Sequence, residues 1–379
     1  MRLAGYVTLE IGLACGLVLG AGYLGARGLG RWGGAPSVPS RAGAGTRAGA
    51  GTGPGAALPA GGVAVTAAPL ARRQELSTEA TDWVAPRASA GLDAEGTFLG
   101  MSDDLLIARM RAQPVRSLKL NKGGSSLSFR VDFADGSRAA WKPAQTNTQT
   151  IPRKEVAAYR LNRLLGLGAV PPATPRALTR DEVFTLLHPD SLPALPRIRA
   201  ETIVGPNGMV SGAASYWIPV IKDSKFDTPA GHQQVAAWLT QGEPMPFGER
   251  GMLAQLSTMA LFDFLTANPD RHSGGNMKTS PDGTVLYFMD NTMSFFIEPE
   301  GTEKNRAIFL HVQRFSRRLV EALPRVTFPA LQPLMRAEDG AELLTDPEAR
   351  TVVQRRALAE EHIRSLVRQF GEAEVLCFP

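Results

Sequence analysis

Two short stretches, Asn268-Pro269-Asp270-Arg271-His272 and, about twenty residues on, Phe288-Met289-Asp290-Asn291, place acidic side chains at the ends of consecutive elements. Asp270 is suited to accept a proton from a hydroxyl, and Asp290 to hold a divalent metal on a nucleotide phosphate. Together they suit the transfer of a phosphoryl group. A lone Asp after a helix is usually a turn residue, but Arg271, His272 and the hairpin that follows favour a catalytic base or hydroxyl orienter at 270. Arg271 and His272 are read as structural support for the loop, and Asn276 as a second metal ligand. Residues 285–289 are mostly apolar, so a carboxylate at that strand's exit is costly unless paired or metal-bound, which favours the ligand role for Asp290.

The elements that must position these groups can be read by period and punctuation. Residues 250–267 carry Leu253, Leu256, Met259, Ala260, Phe264 and Leu265 and predict an apolar helix that Pro269 stops. Residues 277–279, the turn Pro281-Asp282-Gly283 and residues 285–289 predict a hairpin ending in Asp290. Upstream, Ser102 before Asp103 and Asp104 reads as the cap of a short helix. Leu118-Lys119-Leu120, the alternating run 127–133 and the run 138–142 then predict three antiparallel strands. Gly123, Gly124 and Ser125 in the first connection are small enough for backbone N–H groups to approach a phosphate. Lys142, ending the third strand, could reach the same phosphates. Such a turn alone is usually just a hairpin. Residues 154–166 predict a helix with Glu155 in its first turn, where a carboxylate suits the helix dipole in any case. In the sharper reading Glu155 faces Lys142 across the cleft, or shares a metal. Residues 213–221 read as a strand leaving the first lobe, and 311–323 and 346–370 as helices.

The composition permits one large two-lobed domain or two smaller ones: 379 residues, 44% hydrophobic and 20% charged. The net charge of +5 comes from scattered Lys and Arg, so no nucleic-acid partner is indicated. Two cysteines, Cys15 and Cys377, exclude a disulfide framework within the domain. Residues 1–32 are expected to form a single-pass transmembrane or signal-anchor segment, with a cleaved signal peptide as the rival and the side of the membrane left open. Gly12, Gly16 and Gly20 mark a face on which two such helices could pair as a homodimer, although glycine is common in this chain. Residues 33–96 read as a Gly/Ala/Pro-rich flexible linker. Residues 97–379 are the expected folded domain, with an N-lobe of about 97–222 and a C-lobe of about 223–379.

These stretches resemble the Golgi secretory-pathway kinases, the family of the Golgi casein kinase, the xylose kinase and the four-jointed-like proteins. The resemblance is carried by Gly123-Gly124-Ser125-Ser126, Trp141-Lys142-Pro143, the run from Glu155 to Leu165, Val170-Pro171-Pro172, the run from Phe262 to His272 and Asp290-Asn291. A more distant likeness, to phosphoinositide-type lipid kinases and bacterial toxin-type kinases, lies in Asp270-Arg271-His272 and Asn276. In those kinases the asparagine usually falls one position earlier. The resemblance implies an α+β fold: a two-lobed atypical protein-kinase-like domain with a small antiparallel-sheet N-lobe and a mainly helical C-lobe. It also implies ATP and Mn²⁺ or Mg²⁺ between the lobes. On it, Lys142 contacts the nucleotide phosphates, Glu155 supports Lys142 or ligates metal, Asp270 is the catalytic Asp and Asp290 the metal-binding Asp. The expected acceptor is a protein Ser/Thr or a glycan hydroxyl. Asp290 is followed by Asn291-Thr292-Met293 without the glycines the family tends to carry, which keeps a catalytically inactive scaffold as the alternative. A lipid kinase is the third reading. The missing family cysteines point to a bacterial or otherwise disulfide-independent relative.

Overall fold

The computed structural model describes residues 96–379. The expectations for residues 1–32 and 33–95, including the Gly12/Gly16/Gly20 face, lie outside the described residues. Among the described residues no helix is long and apolar enough to cross a membrane.

The first part of the domain is a helix, α1 (Asp103–Ala112), followed by strands β1 (Val115–Leu120), β2 (Phe129–Phe133) and β3 (Arg138–Pro143). Helix α2 (Arg153–Leu164), strand β4 (Ala173–Pro175) and strand β5 (Gly212–Tyr216) complete it. The five strands form one antiparallel sheet in the order β1-β2-β3-β5-β4. Strand periodicity decides which residues face inward. Phe129, Val131 and Phe133 on β2 and Ala139 and Trp141 on β3 are buried in one cluster, which puts Lys142 on the opposite face. Gly212 lets β5 close on β3, because a Cβ there would come within 2.5 Å of the Trp141 indole nitrogen and 2.7 Å of the Lys142 carbonyl oxygen.

The second part contains strand β6 (Lys222–Asp223), helix α3 (Pro229–Trp238) and the apolar helix α4 (Arg250–Thr266). Strands β7 (Lys278–Thr279) and β8 (Leu286–Tyr287) form the expected hairpin and pair with β6 in a three-stranded sheet, β6-β7-β8. Helices α5 (Glu303–His311), α6 (Arg317–Ala322) and α7 (Asp346–Phe370) follow. Thr345 and Glu348 start α7 with a reciprocal capping box. The large core joins α4, α5, α6 and α7 and also takes in Val156, Ala157 and Leu161 of α2 and Leu165 just after it. Helix α2 therefore packs into the second part as well as against the sheet. The fold is the expected mixture of a small antiparallel sheet and a mainly helical remainder.

Several local expectations need correction. Ser102 stands at the α1 N-cap but its side chain makes no capping bond. Helix α4 ends at Thr266, one residue short of the expected bound, because Ala267 adopts a left-handed conformation (φ 48°) whose N–H reaches back to the last turn. The helix expected over 311–323 is broken between α5 and α6. There the Phe315 N–H instead donates to the Val375 carbonyl, and the Ser257 hydroxyl donates to the Arg314 carbonyl. The strand expected over 213–221 stops at Tyr216. Inside the second part, Arg355 is fully buried with its guanidinium on three carbonyl oxygens, those of Leu265, Phe296 and Glu298.

Candidate active site

Lys142 leaves the sheet on the face away from Trp141, opposite the small residue Ala213 in the β3–β5 register. Its Nζ lies 2.8 Å from Glu155 Oε1 and 2.5 Å from Asp290 Oδ1. One ammonium thus joins β3, the first turn of α2 and the segment after β8. Burial works to lower the Lys142 pKa, but the two carboxylates outweigh it and hold the pKa above the ordinary lysine value. Burial likewise acts to raise the Asp290 pKa, and the Lys142 charge and the hydrogen bonds from Lys142 and Thr292 bring it below the ordinary value.

The start of α2 is fastened to the residues that follow Asp290. The Ile151 N–H donates to the Thr292 carbonyl at 3.3 Å. Lys154 donates to the Ser294 carbonyl, lies 3.4 Å from Glu348 and sits over the Phe296 ring. Arg153 pairs with the same Glu348 at 2.8 Å. These contacts fix the height of Glu155 relative to Lys142.

Asp290 occupies the left-handed region (φ 56°), a conformation an L residue adopts only when its surroundings hold it there. Asn291 supplies that hold. It is fully buried, its Nδ2 donates to the Phe288 carbonyl at 2.9 Å and lies 3.4 Å from Glu155 Oε2, and its Oδ1 accepts from Arg271 at 2.8 Å. The Asp290 side chain is 42% exposed and paired with Lys142, which limits the cost of its partial burial. One oxygen is spent on Lys142 and Thr292, and among the described residues the other accepts no hydrogen bond.

Asp270 lies past the left-handed end of α4. Its carboxylate accepts from Ser273 Oγ at 2.6 Å and from Asn276 Nδ2 at 2.9 Å. Asn276 therefore stands beside Asp270, with its own Oδ1 left over. The side chain of Asn268 joins the two aspartates: its Oδ1 accepts the Asp270 N–H at 3.1 Å and its Nδ2 donates to the Asp290 carbonyl at 3.3 Å. Arg271 makes a second link. It is fully buried, pairs with Asp263 at 3.2 Å, and reaches Asn291 and the Met289 carbonyl. Burial pushes the Asp263 carboxyl up to about 6, against the pull of Arg271. His272 packs edge-on against His232, and burial pushes its pKa well below the ordinary value.

Gly123 and Gly124 take positive φ (86° and 80°) with open space where a Cβ would be. The loop is closed by the Asn121 N–H on the Ser128 carbonyl and held by Arg197 on the Ser125 carbonyl. Buried Gln145 ties its far end to β3, bonding both the N–H and the carbonyl of Leu127 as well as the Pro143 carbonyl. The structure thus brings Lys142, Glu155 and Asp290 into direct contact and places Asp270 with Asn276 one asparagine away. It sets Gly123, Gly124 and Ser125 in an exposed loop anchored three residues beyond Lys142. The sequence reading gave no separate role to Asn268, Asn291, Gln145 or Asp263. Asn268 and Asn291 flank the two aspartates in the chain, which is the signal that could have singled them out.

The arrangement offers a buried cation shared by two carboxylates, a third carboxylate oriented by an amide, and two oxygens that accept no hydrogen bond among the described residues. Among the described residues there is no group of three His, Cys, Asp or Glu able to hold a metal alone. Any cation here would need oxygens from other sources, such as amides or water, as well.

No protein-family model matches the chain. An extracellular serine/threonine protein of Drosophila melanogaster, CG31145, is 22% identical over 236 residues, covering 51% of this chain and 45% of its own length. The extracellular serine/threonine protein kinase FAM20C of Homo sapiens is 21% identical over 311 residues, covering 70% of this chain and 52% of its own. The chain spans about half the length of these relatives. The Golgi casein kinase structure superposes with a TM-score of 0.57 at 15% identity, covering 74% of this chain and 79% of that one. The same kinase with Mn/ADP bound gives 0.57 at 16%, covering 72% and 78%. The hydra Fam20 structure with sugar gives 0.54 at 16%, covering 71% and 90%. The chain is similar to the Golgi secretory-pathway kinases and shares their kinase-like fold.

Proposed function

We propose that this chain is an ATP-dependent phosphotransferase that moves the γ-phosphoryl group to a hydroxyl of a protein Ser/Thr or of a sugar. The observation that carries the reading is Lys142 held between Glu155 and Asp290, one asparagine side chain away from Asp270. The names of the matched kinases support it.

In this reading Lys142 donates to the nucleotide phosphates and Glu155 keeps its ammonium on station. The backbone N–H groups of the Gly123-Gly124-Ser125 loop face the same phosphates. Asp270, fixed by Asn276 and Ser273, accepts the proton of the acceptor hydroxyl as that oxygen bonds to the γ-phosphorus. The bond to the β,γ-bridging oxygen breaks and ADP leaves. Arg271 and His272 brace the loop. The donor set suits Mn²⁺ or Mg²⁺: the free Asp290 oxygen and Asn276 Oδ1 are hard oxygen ligands, with Glu155 nearby, and few protein ligands are what such an ion needs when phosphates and water complete its shell. When bound, the ion offsets charge on the phosphates. We further infer that residues 1–32 anchor the domain to a membrane and that the Gly12/Gly16/Gly20 face pairs two copies. A reporter fused after Pro379 reads the orientation, and crosslinking in membranes reads the pairing.

The test is transfer of label from γ-labelled ATP, with Mn²⁺, to casein and to a glycan acceptor. Asp270→Asn and Asp290→Asn should each lose at least about a hundredfold in rate while melting like the wild type. Undiminished transfer by either variant refutes the assignment.

A further inference from the structure

Helix α5 is strapped to the loop that carries Asp270. Thr302 caps it by accepting the Asn305 N–H at 3.2 Å, and buried Asn305 donates its Nδ2 to the Asn268 carbonyl at 2.7 Å. Lys304 directly precedes Asn305 and is partly buried at that first turn. Its ammonium stands within electrostatic reach of three carboxylates, Asp270, Asp227 and Asp263. Among the described residues none of them closes an ion pair with it. The other cations near the two aspartates are spent. Lys142 is held by Glu155 and Asp290, and Arg271 by Asp263, Asn291 and the Met289 carbonyl.

The flank that Lys304 faces has further unspent polar groups. Asp227 braces the Asp270 loop by accepting the N–H groups of Gly275 and Met277 through one oxygen, at 2.7 and 3.1 Å. Its other oxygen is buried without a hydrogen bond, as are the Nε2 atoms of His232 and His272. His232 stops 3.7 Å short of that Asp227 oxygen. His232 and His272 also feel the Lys304 charge, so the cation lies within electrostatic reach of both rings as well as of Asp227 and Asp270.

Phosphoryl transfer spreads negative charge over three equatorial oxygens, and fixed donors aimed at it stabilise that charge most where water is excluded. Lys142 supplies one donor from the sheet. We infer that Lys304 is a further catalytic residue, binding the γ-phosphoryl oxygens from the Asp270 side as the group passes to its acceptor. This assignment rests on the phosphotransferase reading. Burial lowers the Lys304 pKa below the ordinary lysine value, and the three carboxylates oppose that shift without cancelling it.

The experiment compares the affinities of the purified full chain for AMP-PNP and for ADP, both with Mn²⁺, in the wild type, Lys304→Met and Lys304→Arg. A charge-assisted contact to the third phosphate should make Lys304→Met lose about tenfold or more in AMP-PNP affinity, with ADP affinity kept within about twofold. Lys304→Arg should recover part of the loss. An AMP-PNP-to-ADP ratio in Lys304→Met equal to that of the wild type overturns the assignment, and so does an equal loss for both nucleotides. If Lys304→Met melts below the assay temperature, Lys304→Gln is read by the same ratio. A wild-type protein that binds both nucleotides but transfers no phosphate refutes the phosphotransferase reading, while the binding ratio still decides the role of Lys304.

Discussion

Replacing Lys142 with Met tests whether the three-element junction is a structural ion pair as well as a binding group. The Lys142–Glu155 contact is 2.8 Å, with side chains only 11% and 8% exposed. At an effective dielectric near 20, Coulomb's law gives roughly 6 kcal/mol for that separation before desolvation. Taking two ions almost out of water consumes several kcal/mol of this, so a net coupling of about 2 to 3 kcal/mol should remain. Asp290 is 42% exposed, and solvent screening should hold its coupling to Lys142 below about 1 kcal/mol despite the shorter distance. Lys142→Met should therefore destabilise the domain by about 3 kcal/mol, chiefly by stranding Glu155. Lys142→Met/Glu155→Leu should recover about 2 kcal/mol of this, whereas Lys142→Met/Asp290→Asn should recover little. Urea unfolding followed by tryptophan fluorescence supplies both double-mutant cycles. A Lys142–Glu155 coupling under about 0.5 kcal/mol, or one no larger than the Lys142–Asp290 coupling, would show that burial does not set the strength of this junction.

Asn268→Leu keeps the side-chain size but strands the Asp270 N–H and the Asp290 carbonyl. It should cost about 2 to 4 kcal/mol of stability and at least about a hundredfold in transfer rate, and a variant within twofold of wild-type rate would remove Asn268 from the site. Stability should also fall on acidification. Burial holds His232, His272 and His362 below 6.5, so under that pH the unfolded chain takes up protons that the folded one refuses. Asp263 works the other way: raised from 3.8 to about 6, it takes its proton earlier in the folded state and partly offsets the loss in that window. The melting temperature should drop between about pH 7.5 and about pH 5.5, and a flat or rising profile contradicts the burial of these rings.

The strand and turn pattern placed Lys142 at the end of the third strand, and apolar spacing placed the helix that delivers Asp270. Both are local signals with a fixed period. The end of that helix was legible to within one residue, but its cause was not, because Pro269 is a strong stop sign whereas an alanine in a left-handed turn carries no mark in the sequence. The break between α5 and α6 was likewise invisible, since the groups that bond there, Val375 and Ser257, are distant in the chain. Asn268, Asn291 and Gln145 act through hydrogen bonds to residues more than ten positions away, as Gln145 does to Leu127 and Asn268 to Asp290. An amide side chain has no periodicity to betray such a partner. Lys304 reads in the sequence as one more surface lysine, and only the Asn305 strap shows which loop it borders.

Arg355 sits near the middle of the last long helix, yet its guanidinium closes on carbonyls from the end of α4 and from the stretch after Asp290. During synthesis those carbonyls emerge well before the arginine does. A ribosome-bound chain halted ahead of α7 would leave them unfilled, so the end of α4 and the stretch after Asp290 should not set until α7 has been made.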